Sequence, residues 1–363
     1  MASPHRGSSK TPDRGPTRPV TPHLAGARAG TAFRRSAGSQ AGQTLPVLVL
    51  FMVSLIGVAG LVIDVGGWYL QKQQVQAAAD AGALAGASQL PAGWSYAQPV
   101  AQSEYGKNGK GGDGAAVTNT TDLAPNDSVT VASSRVVPGY FSRIFGFSGI
   151  TVRAGAQATI ESVVGYKSTG NVMPWGIMRG SYNVGSSYSM KIANDGSSQS
   201  GALDVPYENG CSGSSGSSDY RNLINGTTLA CPLSVGQILG LQSGSIPGPT
   251  QQGITDRIGV FKPANQIVTI GPNGTATVID ASSPQLVLIP IIENQDGSTN
   301  WTGGSMKVRV VGFAWFVITG VTGNGQKVTV TGEFVGLETA DPNATLGAYT
   351  GLPGGATSVE LTK

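Results

Sequence analysis

The chain has 363 residues, 23 Lys and Arg against 20 Asp and Glu, a net charge of +3, 12% charged and 39% hydrophobic residues, and 54 glycines. So weak a charge gives no electrostatic footprint for a nucleic acid, and so much glycine describes short strands and turns rather than a helical or highly charged protein. The only histidines, His5 and His23, lie near the N-terminus. The long remainder therefore cannot build a Ser-His-Asp triad, a Cys-His nucleophile or a histidine-ligated metal site. Carboxylate-pair glycosidase chemistry passes that filter, but nothing in the spacing of Asp204, Glu208, Asp256, Asp280 or Glu293 singles out a pair. No catalytic residue, cofactor or metal site is expected, and the chain reads as a non-enzyme.

Residues 1–43 are rich in Ser, Pro, Gly, Thr and Arg with hardly any large apolar residue, a composition that cannot bury enough surface to fold. Leu45 to Ile63 then gives nineteen residues without a charge, long enough to cross a bilayer as one helix. Ahead of it stand seven basic residues (Arg6, Lys10, Arg14, Arg18, Arg28, Arg34 and Arg35) against Asp13, whereas the rest of the chain has 16 basic and 19 acidic residues. The basic side stays cytoplasmic, so the C-terminal portion is expected outside the cell, with the tail touching anionic lipid. The apolar run exceeds that of a secretory signal and continues through Val65, Trp68, Tyr69 and Leu70, which argues against signal-peptidase cleavage. Trp68 and Tyr69 are headgroup-level residue types. Asp64 falls at the outer end of the span, where a charge costs far less than at the centre.

The helix is expected to reach about Leu90, where Pro91 and Gly93 end it. Its second half is built of Ala77, Ala78, Ala79, Ala81, Gly82, Ala83, Ala85, Gly86 and Ala87, small residues that let backbones approach closely. Two readings follow: a helix packing lengthwise against others in an assembly, or one docked on its own globular domain. After a glycine-rich loop at about 106–116, the stretches SVTVASS, VPGYFSRIFGF and ITVRAGAQATI read as strand, short amphipathic helix and strand. Tyr140, Phe141, Ile144 and Phe145 then fall at helical spacing and are expected in the core.

From Tyr166 onward, β-branched runs such as QLVLIPII and KVRVVGFAWFVITGV alternate with Gly, Pro, Asn and Asp punctuation, the pattern of an antiparallel sandwich or barrel-like domain. Val310 to Ile318 is too short for a second span and reads as a strand buried on both faces. Between Tyr182 and Gly253 the Gly/Ser-rich sequence reads as long surface loops. Within it, Cys211 and Cys231 lack CxxC spacing and any nearby histidine. In an oxidising compartment they would close a loop of about twenty residues worth roughly 3 kcal/mol. The expected layout is a basic tail at 1–43, a transmembrane and extended helix at 44–90, a small α+β unit at 91–165 and an extracellular β-rich domain at 166–363, mainly β in class.

The order Gly42-Gln43, apolar span, Asp64-Val-Gly66, Trp68-Tyr69, Gln74-Val-Gln76-Ala-Ala-Ala-Asp80 and Ala-Gly-Ala-Leu84 resembles the N-terminal segment of the TadG-like proteins of the Tad/Flp pilus-assembly system. A weaker likeness runs through VPGYFSRIFGFSGITVRAGAQATI. The resemblance implies a membrane-anchored accessory or minor-pilin-like component of an adherence pilus, with a pilin-like α+β unit after the helix and other pilus-assembly subunits as partners through that helix. A prepilin-peptidase cut after Gly42 would leave Gln43 first and Val47 fifth, where type IV pilins place Glu. That departure favours an unprocessed anchored protein. Asp280-Ala-Ser282-Ser283-Pro284 is similar to the cation-binding turn of von Willebrand A domains, but Pro284 stands where the second hydroxyl ligand belongs. The alternative to a pilus component is an independent surface adhesin whose distal β domain binds a surface or glycan ligand, since a β-sandwich does not by itself decide function.

Overall fold

A computed structural model describes residues 44–109, 114–167, 170–191, 199–207, 211, 216–242, 246–271, 276–300, 306–323, 328–336 and 341–362. The expected basic tail, with Gly42 and Gln43, lies outside them. The chain divides into two units, Met1–Leu55 and Ile56–Lys363. In the first, the described residues are helical and exposed to the last. The protein is α+β and β-rich, as its patterning leads one to expect: one long apolar helix followed by mostly antiparallel sheet.

Helix α1 spans Thr44–Ser88, and among the described residues it alone is long and apolar enough to cross a membrane. A 3-10 turn at Leu90–Ala92 and Gly93, at φ 105°, end it where Pro91 and Gly93 predict. A second helix, α2 (Trp94–Asn108), follows at once. Sequence reading leaves that stretch unassigned, because Pro99 sits inside it and Gly93 and Gly106 punctuate it. Its buried positions, Ala97, Ala101 and Tyr105, are nonetheless spaced four apart, one side of a helix.

Strands β1 (Ala115–Thr120), β2 (Ser128–Pro138) and β3 (Gly149–Tyr166) form an antiparallel meander. The β2–β3 register runs unbroken from Ser128↔Thr159 to Pro138↔Gly149. Beyond it come β4 (Trp175–Met178), β5 (Ser187–Lys191), β6 (Ser200–Asp204), helix α3 (Ser217–Asn225), β7 (Leu233–Ser234), β8 (Ile238–Leu241) and helix α4 (Pro247–Arg257). The interval from Tyr182 to Gly253 is thus not a set of long surface loops but carries much of the distal sheet and its covering helices. Its elements are short and its apolar residues sparse, so neither period registers. Gly253 is needed where α4 meets α3, since an added Cβ would lie 2.8 Å from the Ile224 Cβ.

Strands β9 (Val268–Ile270) and β10 (Ala276–Val278) pair only with each other. Strands β11 (Leu286–Asn294), β12 (Lys307–Thr322) and β13 (Thr329–Val335) lead to the C-terminal β14 (Ala344–Ala348) and β15 (Thr357–Leu361). The larger sheet runs β11-β4-β6-β8-β12-β13-β5, and because β11 also pairs with β12, the path β11-β4-β6-β8-β12 returns on itself. Only the β11–β4 pairing is parallel in that ring.

Residues of β11 and β12 alternate between two cores. Leu288, Phe313, Trp315 and Val317 face one, with Val163 and Tyr166 of β3. Val287, Ile289, Ala314 and Phe316 face the other, with Tyr220 and Ile224 of α3 and Ile254 of α4. Burial on both faces is why this pair reads as continuous apolar sequence rather than an alternation. Strands β7, β14 and β15 all pair with β3, so the smaller sheet is assembled from both ends of the described chain. The disulfide Cys211–Cys231 closes across the segment that contains α3.

Candidate functional site

The second half of α1 buries one face. Val75, Ala78, Ala79, Gly82, Ala83, Gly86 and Ala87 are all buried, and their alternating spacing of three and one is a single stripe on a 3.6-residue helix. The stripe packs on Ala97, Ala101 and Tyr105 of α2 and on Val129, Val131, Ala156, Ala158 and Ile160 of the sheet. The approach is close enough to require glycine twice. A Cβ at Gly82 would lie 2.9 Å from the Ala101 carbonyl oxygen, and one at Gly86 would lie 2.8 Å from the Ala101 Cβ and 3.0 Å from the Val129 Cγ1. The structure shows the helix docked on its own domain, one of the two readings open for these small residues, and one helix can serve both.

Two polar residues of the motif sit at the edges of that stripe. Gln76 Nε2 donates to Asp80 Oδ1 at 2.7 Å and to the Gly155 carbonyl of β3 at 3.0 Å. Asp80 therefore orients a glutamine that ties the helix to the sheet. Further along, Tyr105 of α2 hydrogen-bonds to Ser133 of β2, which pins the two helices and the sheet together.

Four turns earlier, Asp64 is 2% exposed although its neighbours Ile63 and Val65 are open. It accepts three backbone N–H groups from the β2–β3 connection: Tyr140 at 3.0 Å, Phe141 at 2.9 Å and Ser142 at 2.6 Å. Three amides converging on one carboxylate form an anion nest whose anion is supplied by the helix itself. Ser142 Oγ donates to the Phe147 carbonyl at 3.1 Å and so closes the turn from within. Gly60 lies one turn before Asp64, where an added Cβ would be 2.7 Å from Phe141 Cγ. On the other side of Asp64 a crevice of about 350 Å³ opens between helix and strand, lined among others by Asp64, Trp68, Gln71, Arg135, Pro138 and Tyr140. Arg135 NH1 donates to Gln71 Oε1 at 2.7 Å, and Trp68 Nε1 reaches the Pro138 carbonyl at 3.4 Å.

The turn itself corrects an expectation. Tyr140, Phe141, Ile144 and Phe145 are exposed rather than in the core. The helical piece is only a 3-10 turn at Ser142–Phe145, closed by Gly146 at φ 85°. Four residues cannot present a buried face, and β2 and β3 carry the turn to the end of the sheet. Of its residues only Ser142 is buried.

Elsewhere three of the carboxylates considered for chemistry, Asp256, Asp280 and Glu293, have structural partners. Asp256 accepts from Arg221 Nε at 3.0 Å and NH2 at 2.5 Å. Asp280 accepts from Lys262 Nζ at 3.0 Å and from Ser282 Oγ at 2.8 Å, on different oxygens, which fills the cation-turn look-alike with its own side chains. Glu293, 7% exposed, lies 3.2 Å from Arg179 and 3.6 Å from Arg309. Glu208 lies outside the described residues, and among those described no group of three His, Cys, Asp or Glu side chains is placed to hold a metal ion. Arg257, which sequence reasoning passes over, donates to the carbonyls of Gly170 and Pro284 at 2.9 and 2.8 Å. It staples α4 to two loops, and burial pulls its guanidinium below the usual value.

The geometry thus singles out the stretch of α1 from Gly60 to Ala87 with the turn it carries. Residues 42–89 match the model of a family described as "Putative Flp pilus-assembly TadE/G-like". No curated protein and no solved structure gives a match.

Proposed function

From a TadE/G-like segment that coincides with the one described helix apolar enough to cross a membrane, we propose that this chain is a membrane-anchored, outward-facing accessory or minor-pilin-like component of a Tad/Flp-type pilus. The observation that carries the reading is that both acidic motif residues of the segment have positions only this fold explains. Asp64 caps the turn after β2, and Asp80 orients the glutamine that grips β3. The role is non-catalytic: the segment is used to join a span to an ectodomain. The orientation follows from the basic tail, which keeps residues 1–43 in the cytoplasm and the β-rich remainder outside.

Anchoring of the rest of the chain to α1 is supported by the buried stripe, in which Gly82 and Gly86 pack on α2. Contacts with other pilus-assembly subunits then fall to the exposed first half of α1, together with lipid. Residues 91–165, whose sheet also takes in β7, β14 and β15, serve as the pilin-like unit, and the rest of residues 166–363 as its distal β-rich extension.

The test compares sheared surface filaments with washed membranes, reading the N-terminal sequence of the mature protein in each. An intact N-terminus in membranes, with residues 91–363 open to protease added to whole cells, is expected. Gln43 as the first residue in the filament fraction would show a processed, polymerising subunit. Protection of residues 91–363 in intact cells would overturn the orientation.

A further inference from the structure

Among the described residues of the unit Ile56–Lys363, the turn Tyr140–Phe147 exposes a contiguous set of large apolar side chains outside the helix itself. Tyr140 is 76% exposed, Ile144 80%, Phe145 57% and Phe147 66%, with Val136 at 74% on the adjoining strand. Scattered single exposures of this kind need no explanation, but a contiguous set does. Its position limits what covers it. Asp64 and Gly60, which hold the turn, belong to the last turn of the apolar run and the residue just after it. The helix surface beside the turn is equally open and apolar, through Leu61, Val62, Ile63, Val65, Tyr69 and Leu70.

We propose that this turn is a second membrane contact, an interfacial anchor that enters the headgroup–acyl boundary of the leaflet from which α1 emerges. The inference rests on the reading of Leu45–Ile63 as a membrane span. Where that span ends, its neighbours at the same level meet lipid, and the turn is fastened at that level. Its composition suits the boundary: aromatic rings and an isoleucine, with the exposed Arg143 able to extend its stem through apolar surroundings and keep its head among phosphates.

Backbone chemistry decides the matter against an ordinary loop, whose bare amides would oppose entry into the boundary. Here Tyr140, Phe141 and Ser142 donate to Asp64. Gly139, Ile144, Gly146 and Phe147 donate to the carbonyls of Ser148, Phe141, Arg143 and Ser142. A turn so closed on itself loses little by leaving water, whereas its apolar side chains gain by leaving it. Asp64 thus has a consequence beyond capping: it satisfies the amides that would otherwise keep the turn in water.

The full-length protein is reconstituted in vesicles of phosphatidylcholine and phosphatidylglycerol, with and without lipid brominated at carbons 6 and 7 of one chain. An environment-sensitive fluorescent amino acid replaces, in separate samples, Phe145, Ile56 within the span and the distal exposed Val260. Strong quenching by brominated lipid at Phe145 and Ile56, with none at Val260, is the expected result. A quenched Ile56 label beside an unquenched, water-like Phe145 label overturns the anchor and leaves the span standing. If the Ile56 label is also unquenched, the span reading fails and takes the anchor with it. A Phe145 label shielded without bromine quenching, and released on dilution to one protein per vesicle, assigns the patch to a second copy instead and overturns the proposal. As a second variant, Ile144→Ser with Phe145→Ser and Phe147→Ser alters only exposed side chains. It is expected to leave the Ile56 quenching unchanged while restoring protease cleavage within the turn in vesicles.

Discussion

Moving one methyl group across the α1–α2 contact measures how tightly the small-residue face is closed. In Gly86→Ala the new Cβ would stand 2.8 Å from the Ala101 Cβ and 3.0 Å from Val129 Cγ1. The first is a backbone-borne atom that cannot rotate away, so α2 must shift. Overpacking of that kind costs about 1–3 kcal/mol, against a gain of about 1 kcal/mol from replacing glycine within a helix, leaving a net loss of roughly 0–2 kcal/mol. Ala101→Gly alone gives up a fully buried methyl and helix propensity, together about 2 kcal/mol. The double variant returns the methyl to the same space from the other helix, so its stability should approach that of the parent, with a favourable coupling of about 2–4 kcal/mol, the sum of the two single losses. Gly106→Ala in α2, where nothing lies within 4 Å of the new Cβ, should stabilise by up to about 1 kcal/mol and controls for propensity. The parent and the four variants are compared by guanidinium titration of the full-length chain in detergent micelles, following tryptophan fluorescence. A coupling within error of zero, with Gly86→Ala as stabilising as Gly106→Ala, would mean the stripe is open and free for other helices, and would refute the anchoring argument.

Other substitutions read separate parts of the fold. Asp127 is buried, which pushes its carboxyl up, but the amides of Ala124, Asp122 and Leu123 at 2.6, 2.7 and 2.8 Å and the Ser128 hydroxyl hold it below the usual carboxylate range. A depressed native pKa contributes stability that is complete above the unfolded value near 4 and is lost as pH falls through the native one. Asp127→Asn should therefore flatten the acid limb of a stability–pH curve below about pH 4, and an unchanged limb would dismiss the cap. Glu161 is pushed the other way, by burial first and then by Glu360 and Asp122, so its stabilising contribution is present below the unfolded value and lost as pH rises through the raised one. Glu161→Gln should stabilise at pH 7 and give no gain below about pH 4, as read by melting at the two pH values. Tyr220→Phe removes the hydroxyl that accepts Trp175 Nε1 at 2.8 Å and bonds Thr250 Oγ1 at 3.0 Å; leaving that buried indole unpaired should cost about 1–3 kcal/mol, measured in the same guanidinium titration. Reducing the Cys211–Cys231 bond, whose partners are 20 residues apart, should cost roughly 3 kcal/mol, and melting with and without dithiothreitol tests it.

What sequence reveals here depends on period and length. The long apolar helix was legible because nineteen uncharged residues run without a break, and β12 because burial on both faces writes an unbroken apolar run. The ends of α1 were legible in Pro91 and Gly93. By contrast α2 carries Pro99 and α4 carries Gly248, Pro249 and Gly253 within the helix, and tertiary packing overrides so weak a propensity. The aromatic turn misled for a definite reason: apolar spacing shows that residues share a side, not what lies on that side. Near the end of a membrane span the surrounding medium can be lipid, and the same pattern that marks a core in water marks a surface there. Asp64 stood out as a charge at the end of an apolar run, but its three amide donors come from residues 76 to 78 positions away, a long-range contact that a local pattern cannot display.

The two acidic motif residues mark a change of solvent along one helix. Up to Leu70 the apolar side chains of α1 are open, and from Val75 onward the helix is closed by the protein's own small residues. An apolar helix needs lipid or protein on every side, so on the proposed reading of Leu45–Ile63 as a membrane span the switch from large, exposed residues to Ala and Gly is the switch from lipid to protein as neighbour. Asp64 and Asp80 fall on either side of it, and neither needs a partner subunit to be satisfied: one takes amides from the aromatic turn, the other the Gln76 side chain. Charges placed to bind a neighbouring helix would be left unpaired in an isolated chain, at a cost of several kcal/mol if buried. Their satisfaction within the chain supports the proposal that the segment fastens the span to the rest of the chain without a partner subunit. In a pilus system this suits a component that must hold its ectodomain at a fixed depth as a monomer, and it leaves the open face of α1 up to Leu70 as the surface through which subunits can be selected.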